Sequence, residues 1–245
     1  MPRTYGQYCP LALAAEVLGE RWNILVLSRL IDDCRRFNEI HRGVPLMSAS
    51  LLSQRLAQLE DAGLVERRPA PEGRGKIYLP TEAARSLAPI IDDLAIWGQH
   101  YARDMTTDDL DPAFLLWSMH LRLNTGAMPP GRTVMEFEFT GAPKDLRRFW
   151  LVNTDGAVEM CLKDPGYGVD LKVMSDLRCF VEAWRGFRSL RREIAAGKIR
   201  LEGPSNLKRD FPDWLLLSAL APYERRRSGP EKKLASQANR RSARA

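Results

Sequence analysis

Residues 46–68, LMSASLLSQRLAQLEDAGLVERR, carry two patterns on one stretch. Leu52, Leu56 and Leu59 recur at the spacing that lines one face of an α-helix, while Ser48, Ser50 and Ser53 give its front a slender, polar character. Ser48 stands where an N-cap hydroxyl can accept from a first-turn amide, and Gly63 is a good left-handed stop. Upstream, PLALAAEVL (10–18) reads as a short helix with proline in its first turn. ERWNILVLSRLI (20–31) places Trp22, Leu25, Val26, Arg29 and Leu30 at helical spacing, and RRFNEIHRGV (35–44) turns Phe37, Ile40 and Val44 inward before Pro45 breaks the chain. A helix, a short break and a second helix with one apolar face predict a helix-turn-helix. Downstream, LVERRPAPEGRGKIYLP reads as strand, basic turn, strand. A long helix is predicted over 81–104, striped by Leu87, Ile90, Ile91, Leu94 and Trp97 and kinked at Pro89. The sum is a mainly α winged helix-turn-helix domain over 1–103.

After an acidic linker at 104–111 the period changes to two. TVMEFEFT (133–140) sets Met135, Phe137 and Phe139 against Glu136 and Glu138, and RRFWLVN, AVEMCLK and VDLKVMS alternate similarly, with turn signals between them. These predict an antiparallel meander. Two helices, SDLRCFVEAWRGF and RSLRREIAAGK, then a strand, IRLEG, and a closing apolar helix, FPDWLLLSALAPY, complete an α+β domain over 112–223. Residues 224–245, rich in Ser, Ala and Arg, are expected to be a disordered basic tail.

Composition narrows the picture in places. The net charge of +6 is carried by the tail, which holds 8 basic and 2 acidic residues, whereas 1–103 has 13 basic against 12 acidic. Net charge therefore does not by itself establish DNA binding, though the tail suits sequence-independent affinity for DNA as well as it suits a solubilising role. No apolar run is long enough to span a membrane, and no export signal is read at the start, so a cytoplasmic protein is expected. The four cysteines, Cys9, Cys34, Cys161 and Cys179, are far apart and read as free thiols; with three histidines they offer little for a metal site. His41, His100 and His120 have no evident nucleophile, and no phosphate loop or G-x-S-x-G elbow occurs, so neither an enzyme nor a cofactor is expected.

The first hundred residues resemble the HxlR-type transcriptional regulators. The matching elements are Cys9-Pro10, Gly19-x-Arg21-Trp22, Arg36-Phe37-Asn38-Glu39-Ile40, Ser48 and Leu52 with Arg55-Leu56, Leu59-Glu60-x-x-Gly63-Leu64-Val65, and Thr81 with Trp97. The resemblance implies a bacterial, homodimeric winged-helix protein that binds a double-stranded DNA operator. The wing departs from the family, reading GRGKIYLPT, with Tyr78 retained. Ser48, Ser50, Ser53 and Gln54 are the residues expected at DNA, Gln54 being able to read adenine with two hydrogen bonds. Arg55 either meets a phosphate or braces Glu39 or Glu60. Arg67, Arg68, Arg74 and Lys76 either contact the DNA backbone or make an ordinary charged hairpin. Dimerisation is expected through Leu11–Leu18 and the stripe ending at Trp97.

The second half resembles the sterol carrier protein-like fold in its order of strands, helical pair, the Gly197-x-Ile199-x-x-x-Gly203 strand and closing helix. That resemblance implies an apolar cavity, and the residues set against it are Phe137, Phe139, Phe149, Leu151, Phe180, Trp184, Trp214 and Leu217. Their other reading is plain core. A small apolar ligand or a change in thiol state is the expected modulator. Cys9, before a helix start, and Cys34, beside Arg35 and Arg36, are the redox candidates, each alternatively a small packing residue. From another class, the competing expectation is a lipid or small-molecule carrier whose winged helix makes protein contacts.

Overall fold

The computed structural model describes residues 4–71 and 73–227. The chain divides into two compact units, Met1–Leu94 and Ala95–Ala245.

The N-terminal unit contains α1 (Pro10–Leu18), α2 (Asn23–Ile31), α3 (Phe37–Arg42), α4 (Ala49–Asp61), β1 (Val65–Pro69), β2 (Lys76–Pro80), α5 (Glu82–Arg85) and the start of α6 (Ala88–Tyr101). From the predicted faces, Val26 and Leu30 of α2, Ile40 of α3, and Leu52, Leu56 and Leu59 of α4 are buried in its core, but on α2 Leu27 is buried too, whereas Leu25, expected on the inward face, is exposed. β1 and β2 pair antiparallel, Val65 opposite Pro80 and Pro69 opposite Lys76. The expected long helix is two helices. Pro89 has no N–H to donate to the carbonyl four residues back and its ring crowds that carbonyl, so α5 stops at Arg85 and α6 starts afresh at Ala88.

The C-terminal unit packs α7 (Pro112–His120), α8 (Leu177–Trp184), α9 (Leu190–Ala195) and α10 (Ser205–Trp214) with a five-stranded sheet. The strands are β3 (Arg132–Thr140), β4 (Arg148–Thr154), β5 (Ala157–Cys161), β6 (Leu171–Asp176) and β7 (Ile199–Glu202), in the order β5-β4-β3-β6-β7. The α+β class holds, but the expected antiparallel meander does not extend to β6, which lies parallel to β3. Residues 162–170 return the chain to the other edge of β3, where Leu171 and Val173 join Met135 and Phe137 on the buried face. Glu136 and Glu138 stand on the opposite face, tied by Lys172 at 3.5 and 2.7 Å.

Three boundaries differ from expectation. The division into units falls within α6, where Gln99 and His100 are buried with partners from their own C-terminal unit. Residues 104–111 are structured, with a 3-10 turn at Thr107–Asp109 clamped by Arg103 on Asp109. The closing helix starts earlier, at Ser205, and ends at Trp214, because Leu215 bridges Leu123 and the Leu216 amide donates to the Arg122 carbonyl at 3.1 Å. Of the expected tail, residues 224–227 are placed. The amides of Arg226 and Arg227 donate to the His100 carbonyl, and Arg225 pairs with Asp104 at 2.6 Å. The remainder, 228–245, lies outside the described residues.

Candidate nucleic-acid interface

Between α3 and α4 the chain turns over Gly43–Ser48. Val44 and Met47 are buried under the turn, and His41 Nε2 lies 2.7 Å from the Met47 carbonyl oxygen, close enough to hold it shut. Ser48 caps α4 as expected, its hydroxyl accepting from the Leu51 amide at 3.3 Å and lying 3.2 Å from the Ser50 hydroxyl. With Leu52, Leu56 and Leu59 directed into the core, Ser50, Ser53 and Gln54 are exposed on the remaining faces of the helix. The first turn therefore offers small side chains and backbone amides to whatever approaches it.

Arg55 resolves toward bracing, with a different partner. Its Nη1 donates to Glu20 Oε2 at 2.9 Å and Gln58 Oε1 at 2.7 Å, and its side chain is only 14% exposed. Glu39 instead accepts from the Arg35 and Arg36 amides, both at 2.9 Å, and caps α3; Glu60 takes Arg67 at 3.3 Å. Arg55 thus fixes α4 against the segment leading into α2.

The wing is anchored at both ends. The Tyr78 amide donates to the Arg35 carbonyl at 2.8 Å, and the Thr81 hydroxyl donates to the Gly63 carbonyl at 2.8 Å. Gly73 and Gly75 take left-handed φ values of 73° and 83° at its tip, a conformation in which a side chain would be strained. Arg74 and Lys76 are exposed there. Arg68 is forked onto Glu66 at 2.7 Å, which lowers the Glu66 pKa through the hydrogen bonds and charge of the guanidinium. Arg67 and Arg68 are thus partly neutralised within the hairpin. Arg42, exposed at the end of α3, is a further cation beside the turn that the sequence reading passed over; its position at a helix end just before the break was the available signal.

The two redox candidates separate. Cys9 is exposed at the N-cap of α1. Cys34 is buried, and its thiol pKa is pushed up to about 11, chiefly by burial, with Asp32, Glu39 and Asp33 adding to it and Arg29 opposing. Of the two neighbouring arginines expected to activate it, Arg35 is turned to Asp33 at 2.7 Å. Burial and a raised pKa both weigh against Cys34 as a reactive thiol. Iodoacetamide at about pH 8 should label Cys9 readily and leave native Cys34 unmodified, with peptide mass mapping as the readout; Cys34 labelling should grow only as pH approaches its raised pKa. Equal labelling of the two at the lower pH would contradict the burial.

In the C-terminal unit seven of the eight residues set against a cavity are buried in the core, and Leu217 lies at its edge. Phe137 stacks on Phe149 with centroids 5.4 Å apart, Phe139 meets Phe180 at 5.0 Å, and Phe211 meets Trp214 at 6.2 Å. Leu151, Trp184 and Trp214 are buried in the same cluster, and Leu217 packs against its margin. The Trp214 indole N–H is satisfied by the Ala127 carbonyl at 3.1 Å. The helix faces meet the sheet ring against ring, so the plain-core reading is the one these contacts support.

A helix-turn-helix with a short antiparallel wing and a capped, polar-fronted second helix defines the class: a winged helix-turn-helix protein. Comparison with known proteins gives the family. The model of the HxlR-like helix-turn-helix family matches residues 17–106. The chain is 34% identical over 111 residues to the uncharacterised HTH-type transcriptional regulator YvaP of Bacillus subtilis (strain 168), covering 44% of this chain and 95% of that protein. It is 36% identical over 95 residues to the HTH-type transcriptional regulator YodB of the same organism, covering 38% of this chain and 85% of that protein. A solved structure of quinone-bound YodB from B. subtilis covers 37% of this chain and 97% of that chain at 34% identity, with a TM-score of 0.33. The chain belongs to the HxlR-like helix-turn-helix family of transcriptional regulators.

Proposed function

We propose that the protein regulates transcription by binding a double-stranded DNA operator as a homodimer, with α4 in the major groove. The observation that carries this is the two-sided character of α4: a leucine face held in the core and Ser50, Ser53 and Gln54 exposed at the front. Short hydroxyls let the helix approach base edges, Gln54 can pair with adenine, and the first-turn amides suit phosphate. Arg55 positions the helix through its ion pair with Glu20. The wing supplies backbone contacts through Arg74 and Lys76, with Arg67 and Arg68 exchanging their internal carboxylates for phosphate.

Dimerisation is supported by apolar surface that the N-terminal unit and α6 leave uncovered. None of the side chains of α1 is buried, and Leu11 and Leu13 are exposed together with Ile90, Leu94 and Trp97 of α6. Large apolar side chains left exposed on a helix in this way mark interaction surfaces. Cys9, at the start of α1, is the thiol we assign to any redox modulation, and we place the protein in the cytoplasm with its DNA. The C-terminal unit, with its helix, strands, helical pair and last strand, supports the sterol carrier protein-like reading of its architecture.

Titrating the protein onto a fluorescent duplex from upstream of its own coding sequence, at several salt concentrations, tests the reading. Arg74→Gln with Lys76→Gln should weaken binding to any duplex and reduce the slope of log K on log salt by about 1–2 units. An unchanged slope would return the wing to an ordinary charged hairpin.

A further inference from the structure

The C-terminal unit holds an open cleft of about 710 Å³ to which DNA binding gives no role. Five arginines line it: Arg103, Arg178, Arg185, Arg188 and Arg225. Four of them have a carboxylate at hand. Arg103 forks onto Asp109 at 2.5 and 2.7 Å, Arg188 meets Glu182 at 2.5 Å, Arg225 meets Asp104 at 2.6 Å, and Arg178 stands 4.0 Å from Glu182. Glu224 also lines the cleft.

Arg185 is the exception. Among the described residues it makes no ion pair; its Nη2 donates to the neutral Gln99 Oε1 at 2.5 Å, and its guanidinium lies 4.7 Å from the centre of the Phe187 ring. Burial, followed by repulsion from Arg225, holds its pKa below the usual arginine value. A half-buried cation without a counter-charge is costly to keep.

The side chain is nevertheless held in place. Gln99 is buried on the last turn of α6, and its amide group donates to the carbonyls of Arg185 and Tyr223 at 3.1 and 3.2 Å while its oxygen accepts from the guanidinium. Gln99 therefore grips Arg185 at backbone and side chain together. The guanidinium is oriented before a ligand arrives, which cuts the ordering cost of binding. Its remaining N–H donors have the fork geometry that matches a carboxylate.

We propose that this cleft binds a small organic carboxylate, with the carboxylate on Arg185 and an apolar body against Met105, Phe187 and Tyr223. A doubly charged phosphate fits less well, because the other four arginines are set against four protein carboxylates, Asp104, Asp109, Glu182 and Glu193.

The test is isothermal titration calorimetry on the full chain with phenylacetate and hexanoate as probes, and with phenylacetamide and inorganic phosphate as controls. At least one of the two carboxylates should bind saturably, one per chain. If phenylacetate is that ligand, the amide should bind at least about tenfold more weakly; phosphate should trail the bound carboxylate by the same margin. Arg185→Gln should lose about tenfold or more, Arg185→Lys should fall between it and the native protein, and Arg209→Gln, at an exposed α10 arginine outside the cleft, should stay within about twofold. Circular dichroism melting establishes that each variant is folded, and Arg185→Lys carries the comparison if the glutamine variant is not. Silence from both carboxylates, an amide that binds as well as its acid, phosphate binding more tightly than either carboxylate, or an Arg185→Lys protein with native affinity overturns the assignment.

Discussion

Replacing Phe137 by alanine should destabilise the C-terminal unit by about 3–5 kcal/mol, the cost of deleting a fully buried ring and leaving a hole. The ring is completely covered and lies at the meeting point of sheet and helices, 5.4 Å from Phe149, 6.0 Å from Phe180 and 6.4 Å from Phe211. Its neighbours belong to β4, α8 and α10, so no single element can collapse into the space without disturbing the others. Urea unfolding followed by tryptophan fluorescence measures the loss. The variant should also recover stability in the presence of benzene, since an apolar cavity admits such a molecule, while the native protein should not respond. A loss under about 1 kcal/mol, or a native protein that benzene stabilises, would mean that the rings border a void after all.

Trp97→Asp should turn the proposed homodimer into monomers in sedimentation equilibrium and lower operator affinity by more than about a hundredfold, because a second half-site is then engaged only as a separate binding event. Trp97 is 56% exposed on α6, its ring 6.1 Å from that of Tyr101, and Ile90 and Leu94 are exposed on the same helix. An aspartate there replaces a side chain that is more than half exposed, yet it would have to be desolvated at an apolar interface. A native protein that sediments as a monomer at about micromolar concentration contradicts the homodimer, whatever the variant does.

Local physics was readable in the sequence. The leucine period of α4, the cap at Ser48 and the glycine-bearing wing turn each depend on residues a few positions apart, and each is found where expected. Strand alternation likewise set the buried face of β3 correctly, with Phe137 and Phe139 inward and Glu136 and Glu138 outward. Alternation says which face a strand buries but not which neighbour it joins or in which direction, and β6 was therefore misread. Pro89 was seen, but whether a proline kinks a helix or divides it depends on what the freed turn can pack against. The remaining misses are tertiary. Glu20 lies 35 positions from Arg55, and Gln99 lies 86 from Arg185; neither partnership has any signature in sequence spacing. The burial of Cys34 is equally hidden, since charged neighbours in sequence do not reveal it.

The most direct test of the central claim is the affinity of Ser50→Ala and Gln54→Ala proteins for the native operator and for a scrambled duplex, by fluorescence anisotropy at fixed salt. Both residues are exposed on α4 and neither supports the core, so folding should be unaffected. The account predicts a loss of about 1–3 kcal/mol on the operator for Gln54→Ala, a smaller loss for Ser50→Ala, and little change on scrambled DNA. Two variants that bind the operator with native affinity and native preference over the scrambled duplex would contradict it.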